Sequence, residues 1–384
     1  MSFPASVTDL LRDLVAIPSV SPEGDAGGTR PGEAALAAHV AELLRTLGAE
    51  VSVTEVQPGR PNVVGRFASA QAGAPTLAIV PHLDTVGVGG MTVAPFGAEI
   101  RRGRLYGRGA CDTKGPMAAA LWAIHQWRKS PAPARLNVIF AATMGEEELS
   151  TGARALCASG FTADFAIALE PTNLKIVHAA KGVLRVWIDF AGQAAHGATP
   201  ERGRNAVYES LPFLTACRDE LAPCFAAAID PVLGPASLNV GVVRGGTELN
   251  VVPDRCRVGM DIRTHPGFDQ DTALAAVRAV ALSHTVQVHR AGPPFVVRPD
   301  NPWLAAMAPL ACGLTSVPWF SDANIFNAHG VPAVAFGPGL IAQAHTADEW
   351  IDLSALEDGA RVFERMLSPP DGPVGVGHAS PTCG

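Results

Sequence analysis

Short apolar runs recur along this chain of 384 residues, and several of them end at an acidic or histidine residue. Such runs, alternating with helix-like stretches, are typical of a mostly parallel sheet with helices on its faces. Binding sites in these α/β sheets form beyond the carboxyl ends of the strands. Carboxylates and imidazoles are costly to bury there without a partner such as a metal cation, so the pattern predicts a metal-dependent hydrolytic centre. The residues are His82 and Asp84 after Thr76–Pro81, Glu146, Glu147 and Glu148 after Leu136–Met144, Glu170 after Ala163–Leu169, and His345 shortly after Val331–Phe336.

The length of the chain and the order of its expected elements indicate two domains. Strands and helices alternate up to Lys181, and the next stretch has the order β-α-β-β-α-β of a split βαβ unit. We therefore expect a discontinuous catalytic α/β domain of residues 1–181 and 292–367. An inserted α+β (ferredoxin-like) domain is expected at residues 182–291. Residues 368–384 are rich in Pro and Gly, which predicts a disordered tail.

Apolar periodicity predicts the individual elements. Helices are expected at Ala5–Ile17, Gly32–Gly48, Thr113–Trp127, Thr151–Ser159, Asn205–Leu221, Asp271–Leu282 and Leu353–Leu367. Strands are expected at Leu77–Val80, Leu136–Ala142, Ala163–Leu169, Leu184–Phe190, Ser237–Val243, Cys256–Arg263, Val286–His289 and Val331–Phe336.

The overall charge and the cysteine pattern narrow the possible partners and compartments. A net charge of −7 disfavours nucleic acid or an anionic membrane as the main partner. The N-terminal sequence resembles neither a signal peptide nor a transmembrane segment, so the cytoplasm is the expected location. The seven cysteines are scattered and form no CxxC, which argues against a disulfide framework or a thiolate zinc site.

Three segments have local geometry that suits a metal site. His82 and Asp84 are two residues apart in PHLDTV and would point the same way along an extended chain, so the carboxylate could accept a hydrogen bond from the imidazole. Asp112 lies in the Gly-rich segment GRGACDTKG, where it could cap a helix or bridge two cations through its two oxygens. In the GEEE turn, one glutamate could bind a metal while its neighbour acts as a general base, or the turn could be a solvated first turn of a helix.

The combination of motifs resembles the M20 metallopeptidases, the dinuclear zinc aminoacylases and carboxypeptidases. It is most similar to their acetylornithine deacetylase and succinyl-diaminopimelate desuccinylase branch. The matching segments span nearly the whole chain in the order PHLDTV, GRGACDTKG, GEEE, ALEPT, HGATPERGRNA, LNVGVVRGGTELNVVPDRC, DIRTHPG and GPGLIAQAHTADEW.

The resemblance implies two Zn²⁺ ions per chain, although Co²⁺ or Mn²⁺ would suit the same ligands. His82 and Glu170 would bind one ion. Glu147 and His345 would bind the other, and Asp112 would bridge both. The peptide bond between Asp112 and Thr113 is expected to be cis, as in the family.

The resemblance also implies roles for residues that do not bind metal. Glu146 would activate a metal-bridging water as general base and then protonate the leaving amine, with Asp84 supporting His82. Glu148 matches no ligand position and is expected to face solvent. His196, in the inserted domain, would polarise the substrate carbonyl across a homodimer formed through residues 182–291, although a turn histidine is the alternative. The expected substrate-binding residues are Asn250, Arg263, Ser321, Gly337 and Gly339.

These expectations favour hydrolysis of the amide bond of an N-acyl-L-amino acid, as in acetylornithine deacetylase. A dipeptidase, carboxypeptidase or desuccinylase of the same family would use the same centre with a different pocket. A non-catalytic ligand-binding relative and a cysteine hydrolase based on Cys111 are further alternatives. Arg263 could bind a substrate carboxylate through its planar fork or form an ordinary surface ion pair.

Overall fold

The structure is a computed structural model that describes residues 3–22, 32–130 and 134–368. It divides into two compact units. Their boundaries differ from the expected ones by a few residues, except that Ser316–Phe320, which was expected in the catalytic domain, belongs to unit 2. Unit 1 lies within residues 1–178, 297–315 and 321–384, and unit 2 comprises Ala179–Val296 and Ser316–Phe320. The predicted tail lies outside the described residues except for Ser368.

Each of the seven predicted helices has a counterpart among the described helices, and three short helices, Ala222–Ala227, Pro302–Met307 and Asp322–Ala328, were not predicted. Helix α1, for example, begins after Ser6, whose hydroxyl accepts the amide N–H of Asp9 as an N-cap. The helices are α1 (Val7–Ala16), α2 (Ala34–Thr46), α3 (Lys114–Lys129), α4 (Thr151–Ala158), α5 (Ala206–Ala216), α6 (Ala222–Ala227), α7 (Gln270–Ala281), α8 (Pro302–Met307), α9 (Asp322–Ala328) and α10 (Leu353–Leu367). The predicted helix Asn205–Leu221 is α5 continued by a π-helical turn, Cys217–Leu221.

The strands include several short elements that apolar periodicity did not predict. They are β1 (Glu50–Gln57), β2 (Arg60–Phe67), β3 (Thr76–Val80), β4 (Glu99–Arg101), β5 (Arg104–Tyr106), β6 (Asn137–Ala142), β7 (Phe165–Leu169), β8 (Ile176–Ala180), β9 (Gly182–Ala191), β10 (Ile229–Asp230), β11 (Gly234–Pro235), β12 (Ser237–Gly245), β13 (Arg255–Thr264), β14 (Val286–Gly292), β15 (Phe295–Val296), β16 (Leu314–Val317), β17 (Ala333–Phe336) and β18 (Trp350–Asp352).

Unit 1 is built on a large mixed sheet whose centre is parallel. Its strand order runs β1-β2-β6-β3-β7-β17-β8, and the four neighbours β6, β3, β7 and β17 are parallel to one another. These four strands are buried almost throughout, as continuous apolar runs in a covered parallel sheet should be. Helices α1, α3 and α10 pack together, and α9 packs against β7 and β17. This is the predicted α/β architecture.

Unit 2 contains a four-stranded antiparallel sheet with the order β12-β13-β9-β14. Strand β9 alternates between buried and more exposed residues along most of its length, so one face of the sheet is apolar. That face packs on α5 and α7, with Ile188, Phe190 and Val258 in the shared core. The element order is the predicted β-α-β-β-α-β, with α6, β10 and β11 added between α5 and β12.

Among the described residues, no helix combines the length and apolar character needed to cross a membrane.

Candidate metal centre

The four parallel strands of unit 1 bring the predicted residues to one edge of the sheet. His82 follows β3, Glu146 and Glu147 follow β6, and Glu170 directly follows β7. His345 comes from the segment after β17. Because these strands are neighbours and run in the same direction, the chain leaves all of them at the same edge. The convergence predicted from the apolar runs is therefore present in the fold.

Asp112 lies between the two histidines and directs one oxygen toward each. The Nε2 atom of His82 is 2.9 Å from Oδ1 of Asp112. The Nε2 atom of His345 is 3.3 Å from Oδ2 of the same carboxylate and 3.0 Å from Oε2 of Glu147. The peptide bond between Asp112 and Thr113 is cis, which confirms that prediction.

Two clusters of ligand-type atoms share this aspartate. One contains His82, Asp112 and Glu170, and the other contains Asp112, Glu147 and His345, and within each cluster the ligand atoms lie within 4.8 Å of one another. Donor atoms around a tetrahedral ion with bonds of about 2.1 Å are about 3.4 Å apart. Imidazole nitrogen and carboxylate oxygen are the donors that Zn²⁺, Co²⁺ and Mn²⁺ accept. The donor set and its spacing fit two cations.

The electrostatics of the clusters also call for positive charge. Burial raises the pKa of Glu170 well above its usual value, and the charges of Asp112 and Glu146 raise it further. Burial and the charge of Asp112 likewise raise the pKa of Glu147. Hydrogen bonds to Asp112 and Glu147 raise the pKa of His345 to about 11. Three buried or half-buried carboxylates in mutual repulsion would be relieved by cations at this position.

Asp84 organises the turn that carries Glu146 and Glu147. Its Oδ1 accepts the amide N–H of Glu146 and its Oδ2 accepts that of Glu147, both at 3.0 Å. The Nδ1 atom of His82 contacts the backbone carbonyl of Asp84 at 3.0 Å, and its distance to the carboxylate Oδ1 is 3.6 Å. The expected hydrogen bond from His82 to the carboxylate is therefore replaced by one to the backbone carbonyl of Asp84.

The three adjacent glutamates have different surroundings. Glu146 is buried, and Glu147 belongs to the second cluster. The prediction that Glu148 faces solvent is wrong, because its side chain accepts a hydrogen bond from Ser21 Oγ at 3.1 Å and the residue is half-buried.

Two buried glutamates that the sequence analysis did not single out support the site. Glu349 is fully buried and accepts the amide N–H groups of Cys111 and Asp112, each at 2.9 Å. Glu33 is also fully buried; it pairs with Arg60 and accepts the amide N–H of Gly145, the residue before the three glutamates. Glu349 lies in the motif GPGLIAQAHTADEW, four residues after His345. This position was the only feature of the local sequence that indicated a role at the site.

The predicted substrate-binding residues of unit 1 are buried. The Oγ atom of Ser321 accepts the amide N–H of Ala323 and caps α9. This structural role gives no support to the expectation that Ser321 binds substrate. Gly337 and Gly339 are packed closely, since a Cβ at Gly337 would lie 2.7 Å from the carbonyl oxygen of Glu170. Gly337 therefore lets the backbone approach a predicted ligand, whereas a Cβ at Gly339 would lie 2.7 Å from Sγ of Cys111.

The remaining predicted site residues belong to unit 2. His196 is exposed, and its Nδ1 accepts the amide N–H of Ala198 at 3.0 Å. In the neutral ring the proton is then on Nε2, where it can be donated. Asn250 is exposed. Arg263 forms an ion pair with Asp261 of the same strand, with Nε 2.7 Å from Oδ1, as in the alternative considered for it.

The thiol of Cys111 has the properties of a packing residue. The residue is fully buried, and burial and the nearby charge of Glu349 raise its pKa well above the usual value. A nucleophilic cysteine needs a lowered pKa, so the geometry argues against a cysteine hydrolase.

Comparisons with known proteins agree with the fold and identify the family. The sequence profile of "Peptidase family M20/M25/M40" matches residues 78–368. An acetylornithine deacetylase from Proteus mirabilis (strain HI4320) is 32% identical over 94% of this chain and 95% of that protein. The M20 family metallo-carboxypeptidase Sso-CP2 from Sulfolobus solfataricus has the same fold, with a TM-score of 0.81 and 19% identity over 95% of this chain and 99% of that one. A second solved structure, the YXEP protein of Bacillus subtilis, aligns with a TM-score of 0.65 and 16% identity over 94% of this chain and 96% of that one. The chain belongs to the M20/M25/M40 family of peptidases and amidohydrolases.

Proposed function

We propose that this enzyme hydrolyses the amide bond of an N-acyl-L-amino acid, with a substrate of the acetylornithine type. The observation that carries the proposal is the Asp112 carboxylate, which offers one oxygen to each of two histidine-containing clusters. The relatives at 30–32% identity over most of the chain are acetylornithine deacetylases, which supports this substrate class. The YXEP protein is described as a dinuclear metal-binding peptidase, which supports two ions.

The assigned ligands are His82 and Glu170 for one ion, Glu147 and His345 for the other, and Asp112 for both. When bound, the two ions would lower the pKa of a water molecule and polarise the scissile carbonyl. Zn²⁺ is the expected metal, and Co²⁺ or Mn²⁺ would fit the same nitrogen and oxygen donors.

Glu146 is assigned the proton transfers. Its carboxylate takes a proton from the attacking water and later gives it to the leaving amine. Asp84 accepts hydrogen bonds from the amide N–H groups of Glu146 and Glu147. The same carboxylate therefore positions the base, Glu146, and the metal ligand, Glu147. His196 would donate Nε2–H to the oxyanion from the second copy of a homodimer formed through residues 182–291.

The assignment of the base is tested by Glu146→Gln with Glu148→Gln as the matched control from the same turn. In the metal-loaded enzyme, Glu146→Gln should keep metal stoichiometry and lose about 10²–10⁴-fold in kcat on N-acetylornithine. Glu148→Gln should stay within a few-fold of the parent. Near-parental turnover by Glu146→Gln would refute the base assignment.

The role of His196 is tested in the same assay. His196→Ala should keep its metal and lose about 10²–10³-fold in kcat. His289→Ala, which changes another exposed histidine of unit 2, should change little. Equal behaviour of the two variants would remove His196 from the mechanism.

A dipeptidase or carboxypeptidase is the second candidate. Human carnosine dipeptidase 1 has the same fold, with a TM-score of 0.72, and Sso-CP2 is a carboxypeptidase. Turnover of metal-loaded enzyme on N-acetyl amino acids, N-succinyl amino acids and dipeptides distinguishes these activities. Preference for a dipeptide by tenfold or more in kcat/KM would favour the peptidase.

A further inference from the structure

A fully buried carboxylate, that of Glu349, holds the turn that presents Asp112. Its Oε1 accepts the amide N–H groups of Cys111 and Asp112, both at 2.9 Å. Its Oε2 accepts the amide N–H of Gly109 at 3.0 Å and a hydrogen bond from Nη1 of Arg108 at 2.8 Å. The two oxygens thus accept hydrogen bonds from four donors of one loop, three backbone N–H groups and the side chain of Arg108.

Arg108 extends the same contact to the segment that carries His345. Its Nη2 donates to the carbonyl of Thr346 at 3.3 Å, and its Nε donates to the carbonyl of Gly87 at 3.0 Å. The side chains of Arg108 and Glu349 are 3% and 1% exposed, so water does not compete for these bonds. The segment that carries His345 and the loop that carries Asp112 are therefore held by one buried ion pair.

The negative charge of Glu349 is unexpected at this position, beside other carboxylates. A buried carboxylate near Asp112 adds negative charge beside two clusters that already contain three carboxylates. Although Arg108 attracts it, burial and the charge of Asp112 raise the pKa of Glu349. That repulsion would be avoided by an apolar residue of similar size. What a carboxylate provides is two oxygens that can bind several amide N–H groups at once, which orients the backbone on either side of Asp112.

We propose that Glu349 is a positioning residue that aims the two oxygens of Asp112 at the two clusters, with Arg108 holding the segment of His345 in register. This inference rests on the proposed function for the two-ion site, but it concerns metal binding rather than the identity of the substrate. Groups that orient metal ligands affect metal affinity by about 10–100-fold.

The test is Glu349→Gln in the full chain, with Asp348→Asn as the control. Asp348 is adjacent and also accepts two backbone N–H groups, those of Thr92 and Val93, at 2.9 and 3.2 Å, but it contacts a different loop. The metal-free proteins are titrated with Co²⁺, and binding is followed by the visible absorption spectrum of the bound ion and by calorimetry. The thermal unfolding of each metal-free variant is measured in parallel.

Glu349→Gln should weaken binding of at least one Co²⁺ about 10–100-fold and change the absorption spectrum. It should also lower kcat more than it raises KM, while Asp348→Asn keeps the parental values. A Glu349→Gln variant with parental Co²⁺ affinity and spectrum would overturn the proposal and leave only a structural role.

If Glu349→Gln does not fold, Arg108→Lys tests the proposal instead. This substitution keeps the positive charge and removes the guanidinium group that donates to the carbonyls of Gly87 and Thr346. The proposal then requires a severalfold loss of affinity for one Co²⁺ in a variant that is still folded at the temperature of the titration, and parental affinity would overturn it. A parent enzyme that binds two Co²⁺ ions but cleaves no acyl amino acid would refute the proposed function alone.

Discussion

Replacing Asp84 by asparagine should loosen the turn that carries the base and one ligand. The Asp84 carboxylate is 1% exposed and accepts the amide N–H groups of both Glu146 and Glu147 at 3.0 Å. Asparagine keeps one acceptor oxygen, so one charge-assisted hydrogen bond of about 1.5–3 kcal/mol is lost. Its NH₂ group then faces a buried N–H, which costs about 1–3 kcal/mol more. We expect the free energy of unfolding of unit 1 to fall by about 4 kcal/mol.

The assay is urea unfolding of the metal-free protein followed by tryptophan fluorescence, combined with hydrogen exchange at the amides of Glu146 and Glu147. Both amides should exchange faster in Asp84→Asn. The control, Asp300→Asn, removes a carboxylate that is 67% exposed and pairs with Arg298, so it should leave the urea midpoint close to the parental value. A loss below about 1 kcal/mol for Asp84→Asn, with unchanged exchange at the two amides, would refute the anchoring role.

Two further predictions concern packing and thiol chemistry. A Cβ at Gly152 would lie 2.5 Å from the backbone nitrogen of Met144, so Gly152→Ala should lower the free energy of unfolding in urea by about 2 kcal/mol. In the control, Gly89→Ala, no atom lies within 4 Å of the new Cβ, and the loss should be about 0–0.5 kcal/mol. Equal losses in the two variants would contradict the close packing at Gly152. Burial raises the pKa of Cys157 to about 12, and Cys224 is exposed. Iodoacetamide at pH about 8 should therefore modify Cys224 in the folded protein and leave Cys157 unmodified, as read by peptide mass spectrometry, and modification of both at similar rates would contradict the burial.

The parallel centre of the sheet could be predicted because its strands are short, continuous apolar runs that end at polar residues. Strand β6, for instance, is buried from Val138 to Ala142, and the predicted strand differs from it by one residue. The hairpin of β1 and β2 could not be predicted in the same way. Strand β1 is mostly exposed. Val51 and Val53 alternate with Ser52 and Thr54, but a β-bulge between Glu55 and Gln57 breaks the period of two before Val56, so the alternating run is too short to mark the strand.

His82, Glu147, Glu170 and His345 were predictable because each comes after an apolar strand, and Asp112 because it lies in a Gly-rich segment before a helix, but the residues that hold these ligands were not. Glu349 and Asp112 are 237 residues apart, and Glu33 and Gly145 are 112 residues apart. Contacts over such separations depend on the finished fold and leave no local pattern. The surroundings of Glu148 were mispredicted for the same reason, because its partner Ser21 is 127 residues away.

The central claim is that Asp112 bridges two metal ions, and anomalous diffraction from crystals of the zinc-loaded enzyme tests it most directly. We expect two anomalous peaks about 3.5–4 Å apart, one beside His82 and one beside His345, with the Asp112 carboxylate between them. A single peak, or two peaks of which only one contacts Asp112, would contradict it.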